Sequence, residues 1–259
     1  MTDAATTLRA WLDERAAADP DRRRFGAASH RYQLAPPLDP VALAALAAAT
    51  DAPLPAAYRR FVATVGSAGA GPYHGLWPAA ASCARGVVGG RFVPDAAQPY
   101  RGVIGLGHVG CGQVAVLAVA GAHAGSVWLD ARACGRGVVQ LAADFDGYYL
   151  GWVAALSRNE LPPGAGGTCP LPRALSMYLG RIEAQAGAAP GTLAPQAIRA
   201  AFEALPDGAI RCEASGDDPF FAEGAVLALC PTCELTVERL AAMGLRRAHL
   251  ATPDAWEVG

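Results

Sequence analysis

Lysine is absent from this chain: all 21 basic residues are arginine, in a sequence of 259 residues. Its absence excludes chemistry that depends on a lysine amine, such as a Schiff base with a carbonyl substrate or the lysine of a phosphate-binding P-loop. Charged residues of both signs are few, at 17% of the chain, and the formal net charge is −2. Chains that bind nucleic acid normally carry a clear basic excess, so no nucleic-acid partner is expected.

Long apolar runs are also absent. No uninterrupted apolar stretch approaches the ~18 residues that a membrane span requires. The amino-terminal sequence "MTDAATTLRAWLDERAAADPDRRRF" is polar and charged early, unlike a signal peptide. A soluble, cytoplasmic protein with no membrane partner is therefore expected. The seven cysteines are scattered and odd in number, which in a reducing compartment predicts mostly free thiols.

The first part of the chain has the apolar spacing of helices. One helix is expected to end before Pro20, and Asp39 is placed to cap another helix whose first residue is Pro40. A third helix is expected to bury one face, formed by Tyr58, Phe61, Val62 and Val65. Gly66 is expected to end this helix in a left-handed conformation.

The middle of the chain, residues 86–141, changes to short runs rich in β-branched residues. Glycine-containing turns separate these runs, which predicts an antiparallel sheet connected by hairpins. The next segment, "DFDGYYLGWVAAL", returns to helical spacing, with Phe145, Tyr149, Trp152 and Leu156 on one face. A linker is predicted at residues 159–170, and two helical patterns, a strand-like "AIRC" and "AVLALCPTCELTVERLAAMGL" follow it. Together these patterns predict an α+β fold: a mainly antiparallel or mixed sheet with packed helices, plus a C-terminal α/β extension.

The stretch "VIGLGHVGCG" contains a literal G-x-G-x-x-G at Gly105, Gly107 and Gly110, and Asp130 lies 20 residues further on. This spacing is that of a dinucleotide-binding fold, in which a helix must follow the glycines. The next residues, "QVAVLAVAGAHAG", are β-branched and contain glycine where the middle of that helix would lie. A strand and a hairpin are predicted there instead. An NAD(P)-dependent oxidoreductase therefore stays only as an alternative to a non-catalytic protein.

A lone C-x-x-C, formed by Cys230 and Cys233, lies between a strand-like run and a helical pattern. A pair with this spacing can bind zinc, or can serve as a redox pair when a helix start lowers the pKa of a thiol. Zinc requires two further ligands, and the candidates are Cys212 together with Cys169 or His249. The remaining interpretation is buried thiols without a ligand. No cofactor is therefore expected, with a zinc-stabilised interaction module on Cys212, Cys230 and Cys233 as the alternative.

Several stretches, taken in order, resemble the SUKH superfamily of Smi/Knr-like proteins: "HRYQLAPPL", "LPAAYRRFVATVGSAGAGPYHGLWP", "GCGQVAVLAVAGAHAGSVWLD" and "DFDGYYLGWVAAL". The second stretch is close to that family's Leu-Pro-x-x-Tyr-Arg-x-Phe helix and glycine-rich loop, although Ser67 and Ala68 stand where the family often has Asn-Gly. The resemblance covers about residues 24–162. It implies an α+β domain at residues 1–162, including the N-terminal helix, and leaves open the role of an extension at residues 163–259.

The resemblance also implies a non-catalytic role, since many bacterial relatives are immunity proteins that bind and neutralise a toxin. No catalytic residue is assigned, the expected partner is a cognate toxin, and the toxin's identity and the oligomeric state stay open. We expect the loop after Gly66 to hold Tyr73, His74 and Trp77 near the surface, where aromatic residues can anchor a partner. The alternative is that Tyr73 and Trp77 close the edge of the core. Asp130 is either an exposed acid that faces a basic groove of the toxin or a turn residue.

Overall fold

The computed structural model describes residues 4–50, 52–81, 89–94, 100–134, 136–158, 160, 170–189, 191–214, 220–251 and 253 of the chain. These residues form helices and one four-stranded antiparallel sheet. The predicted α+β class is therefore confirmed. None of the described helices combines the length and the apolar character needed to cross a bilayer.

The helices that precede the sheet include α1 at Ala4–Ala18, α2 at Ala27–His30, α3 at Pro40–Ala48 and α4 at Ala56–Thr64. Helix α1 ends before Pro20, as predicted, because the residue before a proline is disfavoured in the helical conformation. The carboxylate of Asp39 accepts a hydrogen bond from the Ala42 amide at 2.8 Å, which confirms the predicted cap of α3.

Helix α4 buries one face, as its spacing predicts, with Tyr58, Phe61 and Val62 in the core. The prediction that Gly66 ends this helix in a left-handed conformation is wrong, since Gly66 is not among the residues with positive φ. Gly66 is required for packing instead, because there is little room for a side chain at this position. A Cβ at this position would lie 3.0 Å from the carbonyl oxygen of Ala35, so glycine lets two chain segments approach closely.

The sheet is a meander of four strands in sequence order: β1 at Val103–Gly110, β2 at Gln113–Ala118, β3 at Val127–Asp130 and β4 at Val138–Ala142. Each neighbouring pair is antiparallel, which confirms the predicted hairpins. The β-rich run "GVVGGRFV" at residues 86–93, which opens the region of residues 86–141, also predicts a strand. Its described residues, 89–93, form no strand, and residues 86–88 lie outside the described part.

Side chains from the two faces of the sheet enter two different hydrophobic clusters. One face, with Leu117 and Leu129, packs with helix α4 and with α5 at Phe145–Ser157. The predicted apolar face of α5 is confirmed, because Phe145, Tyr149, Trp152 and Leu156 are all buried. On the other face, the side chains of Val114 and Val116 belong to a cluster with Trp77, Phe92, Trp128 and Phe220.

The C-terminal part has a hydrophobic core of its own. Its helices are α6 at Pro170–Gln185, α7 at Pro195–Glu203 and α8 at Pro231–Leu240. The two strand-like runs form only isolated bridges, in which Ile210 pairs with Leu250 and Glu213 pairs with Val226. Apart from Cys111, the buried residues of this core all lie beyond residue 170. The expected boundary at residues 162 and 163 falls outside the described residues.

Candidate metal centre

Cys111 lies at the tip of the hairpin between β1 and β2. Three consecutive residues have positive φ: Gly110 at 111°, Cys111 at 53° and Gly112 at 76°. For a cysteine this conformation is uncommon, and it makes a tight reversal that turns Cys111 away from the sheet. The Cys111 amide donates a hydrogen bond to the Ala228 carbonyl at 2.8 Å, so the hairpin tip is joined to the C-terminal segment.

Gly110 permits a close approach of two backbone segments. A Cβ at Gly110 would lie less than 3.0 Å from the backbone nitrogen of Cys230. Gly107 also permits a close approach of two backbone segments, because a Cβ there would lie less than 3.0 Å from the Gly75 carbonyl oxygen. A Cβ at Gly105 would lie 2.8 Å from the Trp77 ring. The glycines of the G-x-G-x-x-G pattern therefore serve packing. The predicted strand after them is confirmed, and the helix that dinucleotide binding requires is replaced by β2.

Cys230 and Cys233 lie at the start of helix α8. Cys230 is the N-cap residue, Pro231 opens the helix and Cys233 follows within the first turn. Proline is favoured at the first helical position, which explains why the helix begins here. The partial positive charge of a helix N-terminus stabilises a thiolate, and so lowers the free energy of the ionised form.

The three cysteines from the hairpin and the helix form a buried cluster. The Sγ atoms of Cys111, Cys230 and Cys233 all lie within 4.8 Å of one another. The Sγ atoms of Cys111 and Cys233 are 3.5 Å apart, and the Cys230 amide donates to the Cys111 sulfur at 3.3 Å. The exposed fractions of the three residues are 2%, 1% and 0%. These thiols could bind a metal ion.

A fourth cysteine, Cys212, packs against the same core and is half-buried. Its sulfur is not among the three that lie within 4.8 Å of one another. Interaction with Cys212 is the main reason that the pKa of the Cys111 thiol is raised, followed by interactions with Cys230 and Cys233 and by burial. In the absence of a cation the Cys111 thiol therefore retains its proton, and a bound cation would replace that proton and hold a thiolate.

Sequence reasoning named Cys212, Cys230 and Cys233 as metal ligands. The structure groups Cys230 and Cys233 with Cys111, whereas Cys212 packs against the same core outside that group. Sequence reasoning missed Cys111, which was taken only as part of a glycine motif; the local signal was a cysteine between two glycines at a hairpin tip. His249 is buried, but its Nδ1 atom accepts a hydrogen bond from the Arg246 amide at 3.1 Å. Cys169, the other candidate ligand, lies outside the described residues.

The expectation that Tyr73 and Trp77 lie near the surface is wrong, since they are 1% and 8% exposed. Tyr73 packs in the core that contains α4 and α5, and Trp77 packs against Phe220 with ring centroids 5.6 Å apart. Their positions agree with the alternative prediction, in which both rings close the edge of the core. A partner cannot contact them without rearrangement, so they are no longer candidates for partner binding.

Asp130 does not present an exposed carboxylate, because it is only 4% exposed. Its side chain accepts hydrogen bonds from the Arg132 guanidinium at 3.0 Å and from the hydroxyl of Tyr100. The guanidinium of Arg132 also lies over the Tyr100 ring, 4.9 Å from its centroid. Asp130 is therefore part of a structural ion pair, and the expectation of an acid that faces a basic partner is corrected.

His74 is half-buried and connects two parts of the chain. Its Nε2 atom lies 2.9 Å from the Leu229 carbonyl oxygen, and its Nδ1 atom lies 3.2 Å from the Ser29 hydroxyl. A carbonyl can only accept, so Nε2 carries the proton and Nδ1 accepts from Ser29. Burial lowers the pKa of His74, which keeps the ring neutral and preserves both hydrogen bonds.

A groove of about 780 Å³ lies next to the cysteine cluster. Residues 21–26, 28 and 29 line it from the N-terminal side, and residues of the C-terminal part, among them Cys212 and Leu229, line it from the other. Five arginines line this groove, against three acidic residues: Arg22, Arg23, Arg24, Arg211 and Arg247, with Asp21, Glu234 and Glu238. We call this feature the arginine groove.

Comparisons with protein-family models, with curated proteins and with solved structures give no match for this chain. Its function is therefore argued from the geometry of the described residues. The family resemblance given above stays an expectation.

Proposed function

We propose that this chain is a non-catalytic immunity protein, which neutralises a cognate toxin by stoichiometric binding. The stretch at residues 54–78 supports the assignment through its resemblance to SUKH proteins. The observation that carries the proposal is the arginine groove, a concave and charged surface whose shape is fixed by contacts within the chain. A preformed surface binds a partner with a smaller loss of conformational entropy than a flexible one.

The turn that presents three of the arginines is held by Asp19, which is 7% exposed. Its carboxylate accepts from the amides of Arg23 and Arg24, at 2.8 and 3.2 Å, and from the Tyr32 hydroxyl at 2.7 Å. Burial raises the pKa of Asp19, but these hydrogen bonds outweigh burial and lower it, so the carboxylate is charged at neutral pH. Arg22 in this turn has a left-handed conformation with φ 53°.

The charge of the groove determines the chemistry of the partner surface. Arginine exceeds acidic residues in its lining, although Arg23, Arg211 and Arg247 form exposed ion pairs with Asp21, Glu213 and Glu234. Guanidinium groups bind carboxylates in a bidentate geometry, and a partner's carboxylates can compete with such exposed pairs. The proposed occupant is an acidic segment of the toxin. Binding of this kind is faster at low ionic strength and becomes slower as salt screens the charges.

The experiment that tests the proposal is co-expression of the chain with toxin genes encoded beside its own gene, with cell survival as the readout. Survival together with a one-to-one complex in size-exclusion chromatography supports the proposal. Lethality with every neighbouring toxin, while the chain is present in folded form, overturns it.

A matched pair of variants tests the groove. Combined substitution of Arg22, Arg23 and Arg24 by Gln is expected to raise the Kd of the complex about tenfold or more, since exposed charge contacts contribute about 0.5–1 kcal/mol each. The control removes the same charge from exposed positions outside the groove: Arg59→Gln, Arg181→Gln and Arg239→Gln. Equal loss of affinity in both triple variants would mean that net charge, not the groove, determines binding.

We also propose that the metal of the cysteine cluster is zinc. Thiolates are soft ligands, and sites built from cysteine select zinc among the abundant divalent ions. Zinc would stabilise an interaction module in the C-terminal part, without a catalytic role. Metal analysis of the purified protein, with Cys230→Ser for comparison, tests this: one zinc per chain that the variant loses supports it, and a metal-free, folded wild-type protein overturns it.

A further inference from the structure

We infer that Cys111, Cys212, Cys230 and Cys233 form one closed four-thiolate zinc site, which links the tip of the β1–β2 hairpin to the C-terminal part. This inference rests on the proposed binding of zinc and adds Cys212 as the ligand that completes the site. We call it the four-thiol site. The sequence places Cys111 about a hundred residues from the other three, so no local spacing motif marks it.

The spacing of the sulfur atoms fits a tetrahedral ion. Zinc–sulfur bonds of about 2.3 Å in tetrahedral geometry place the sulfurs about 3.8 Å apart. The Cys111 and Cys233 sulfurs are 3.5 Å apart, and the sulfurs of Cys111, Cys230 and Cys233 lie within 4.8 Å of one another. Small side-chain adjustments are therefore enough to place an ion among them.

Cys212 is the fourth ligand because its side chain packs against the core that contains the other three cysteines and lines the same groove as Cys111, although its sulfur lies outside the group of three within 4.8 Å. Its backbone carbonyl accepts from the Leu227 amide at 2.7 Å, which fixes it beside the segment that leads into Cys230. Of the two alternatives from the sequence, His249 has its Nδ1 occupied by the Arg246 amide. Four cysteines leave no open coordination position, which is the pattern of a structural site.

The surroundings suit the charge of such a site. Four thiolates with one zinc ion carry a net charge of −2, which a buried position must compensate. The N-terminus of helix α8 supplies a partial positive charge at Cys230 and Cys233. The Cys230 amide donates to the Cys111 sulfur at 3.3 Å, a contact of the kind that orients metal-bound thiolates and stabilises their charge.

The site has a mechanical consequence, because its ligands come from two distant parts of the chain. Cys111 belongs to the hairpin of the sheet, whereas the other three ligands belong to the C-terminal part. Zinc at this position acts as a cross-link between distant residues of the chain, and it opposes their separation. Cys111 and Cys212 also line the arginine groove, so the ion fixes one wall of that groove.

X-ray absorption at the zinc edge of the wild-type holoprotein tests the ligand set without any substitution. The expected shell contains four sulfur atoms at about 2.3 Å. A shell that mixes sulfur with nitrogen or oxygen overturns the four-thiol site but leaves the zinc proposal standing. A protein that binds no zinc overturns both, and neither result bears on toxin neutralisation, which is measured by cell survival.

Three variants then identify the ligands. Cys111→Ser and Cys212→Ser are each expected to weaken zinc binding about tenfold or more, as measured by competition with a chromophoric chelator, whereas Cys169→Ser is expected to bind zinc as the wild type does. Wild-type affinity in Cys111→Ser or Cys212→Ser, or loss of zinc in Cys169→Ser, overturns the assignment. If a variant fails to fold, the absorption spectrum of the wild type still decides the number of sulfurs.

Discussion

The backbone amide of Cys230 donates a hydrogen bond to the sulfur of Cys111, across 119 residues of sequence and a distance of 3.3 Å. The contact is possible because Gly110, directly before Cys111, has no side chain to separate the two segments. It places a strand hairpin and a helix N-terminus so that their cysteines meet. Any change that separates these segments should therefore affect the fold and metal binding together.

The first prediction concerns Gly110→Ala. The new methyl group would lie less than 3.0 Å from the Cys230 nitrogen, at a φ of 111° that alanine rarely adopts. We expect the free energy of unfolding to fall by about 3 kcal/mol, from backbone strain and displaced packing together. Urea denaturation measures this change, and chelator competition should show weaker zinc binding.

Gly125→Ala is the matched control for that prediction. Gly125 also has a positive φ, 96°, but a Cβ there would meet no atom within 4 Å. In this control only the backbone strain lowers the free energy of unfolding, by about 1 kcal/mol, and the zinc affinity should not change. Equal losses in the free energy of unfolding for the two variants would show that the close approach of Gly110 to Cys230 does not contribute to stability.

The second prediction concerns removal of the metal. Chelation should increase hydrogen exchange at the amide of Cys111, which donates to Ala228, and at residues 227–233, about tenfold or more. The amides of α5 should exchange at an unchanged rate, because this helix packs in a different core. Mass spectrometry of exchange with and without chelator measures both regions. Uniform acceleration over the chain would instead indicate global destabilisation.

The elements that the sequence predicts well are those whose local pattern determines their structure. Helix α5 follows from four apolar residues at helical spacing, and the cap of α3 follows from Asp39 before Pro40. The strand after Cys111 follows from β-branched residues and glycine, which together disfavour a helix. In each case the deciding interactions join residues only a few positions apart.

The features that the sequence did not predict depend on contacts between distant residues. Tyr73 and Trp77 stand in a glycine-rich loop with no periodic pattern, so sequence alone does not decide whether they face solvent or the core. Cys111 lies far from the other cysteines along the chain, and nothing near it marks a ligand. Gly66 shows the same limit, because its role is contact with residues 34–35 and not the geometry of its own helix.

The third prediction concerns the pH dependence of stability through His30, which is 8% exposed. Burial, together with nearby His74, lowers the pKa of His30 to about 4, below its ordinary value near 6.5. Its Nδ1 atom accepts from the Tyr32 amide at 3.0 Å, a bond that protonation removes. Between these two pH values the unfolded chain binds a proton that the folded chain does not, so stability falls as the pH decreases.

The expected loss between pH 7.5 and pH 4 from this group is about 3 kcal/mol, from about two and a half pKa units. His30→Asn offers a comparison, because its side-chain oxygen can accept from the Tyr32 amide and does not titrate. Urea denaturation at several pH values should give a shallower decline for the variant. Parallel curves for the two proteins would show that His30 titrates normally in the folded state.

The last prediction separates a structural role of Asp130 from a role in partner binding. Asp130→Asn leaves Arg132 without its carboxylate partner, and Tyr100 with a weaker acceptor, in a site that is mostly buried. We expect the free energy of unfolding to decrease by about 1–3 kcal/mol, the usual range for a disrupted buried hydrogen bond to a charged group. The Kd for the toxin should stay within about twofold of the wild-type value, measured by calorimetry on folded protein. Tyr100→Phe removes a single hydrogen bond to the same carboxylate, so the free energy of unfolding should decrease less than in Asp130→Asn. A large rise in Kd for either variant would instead indicate that Asp130 takes part in partner binding.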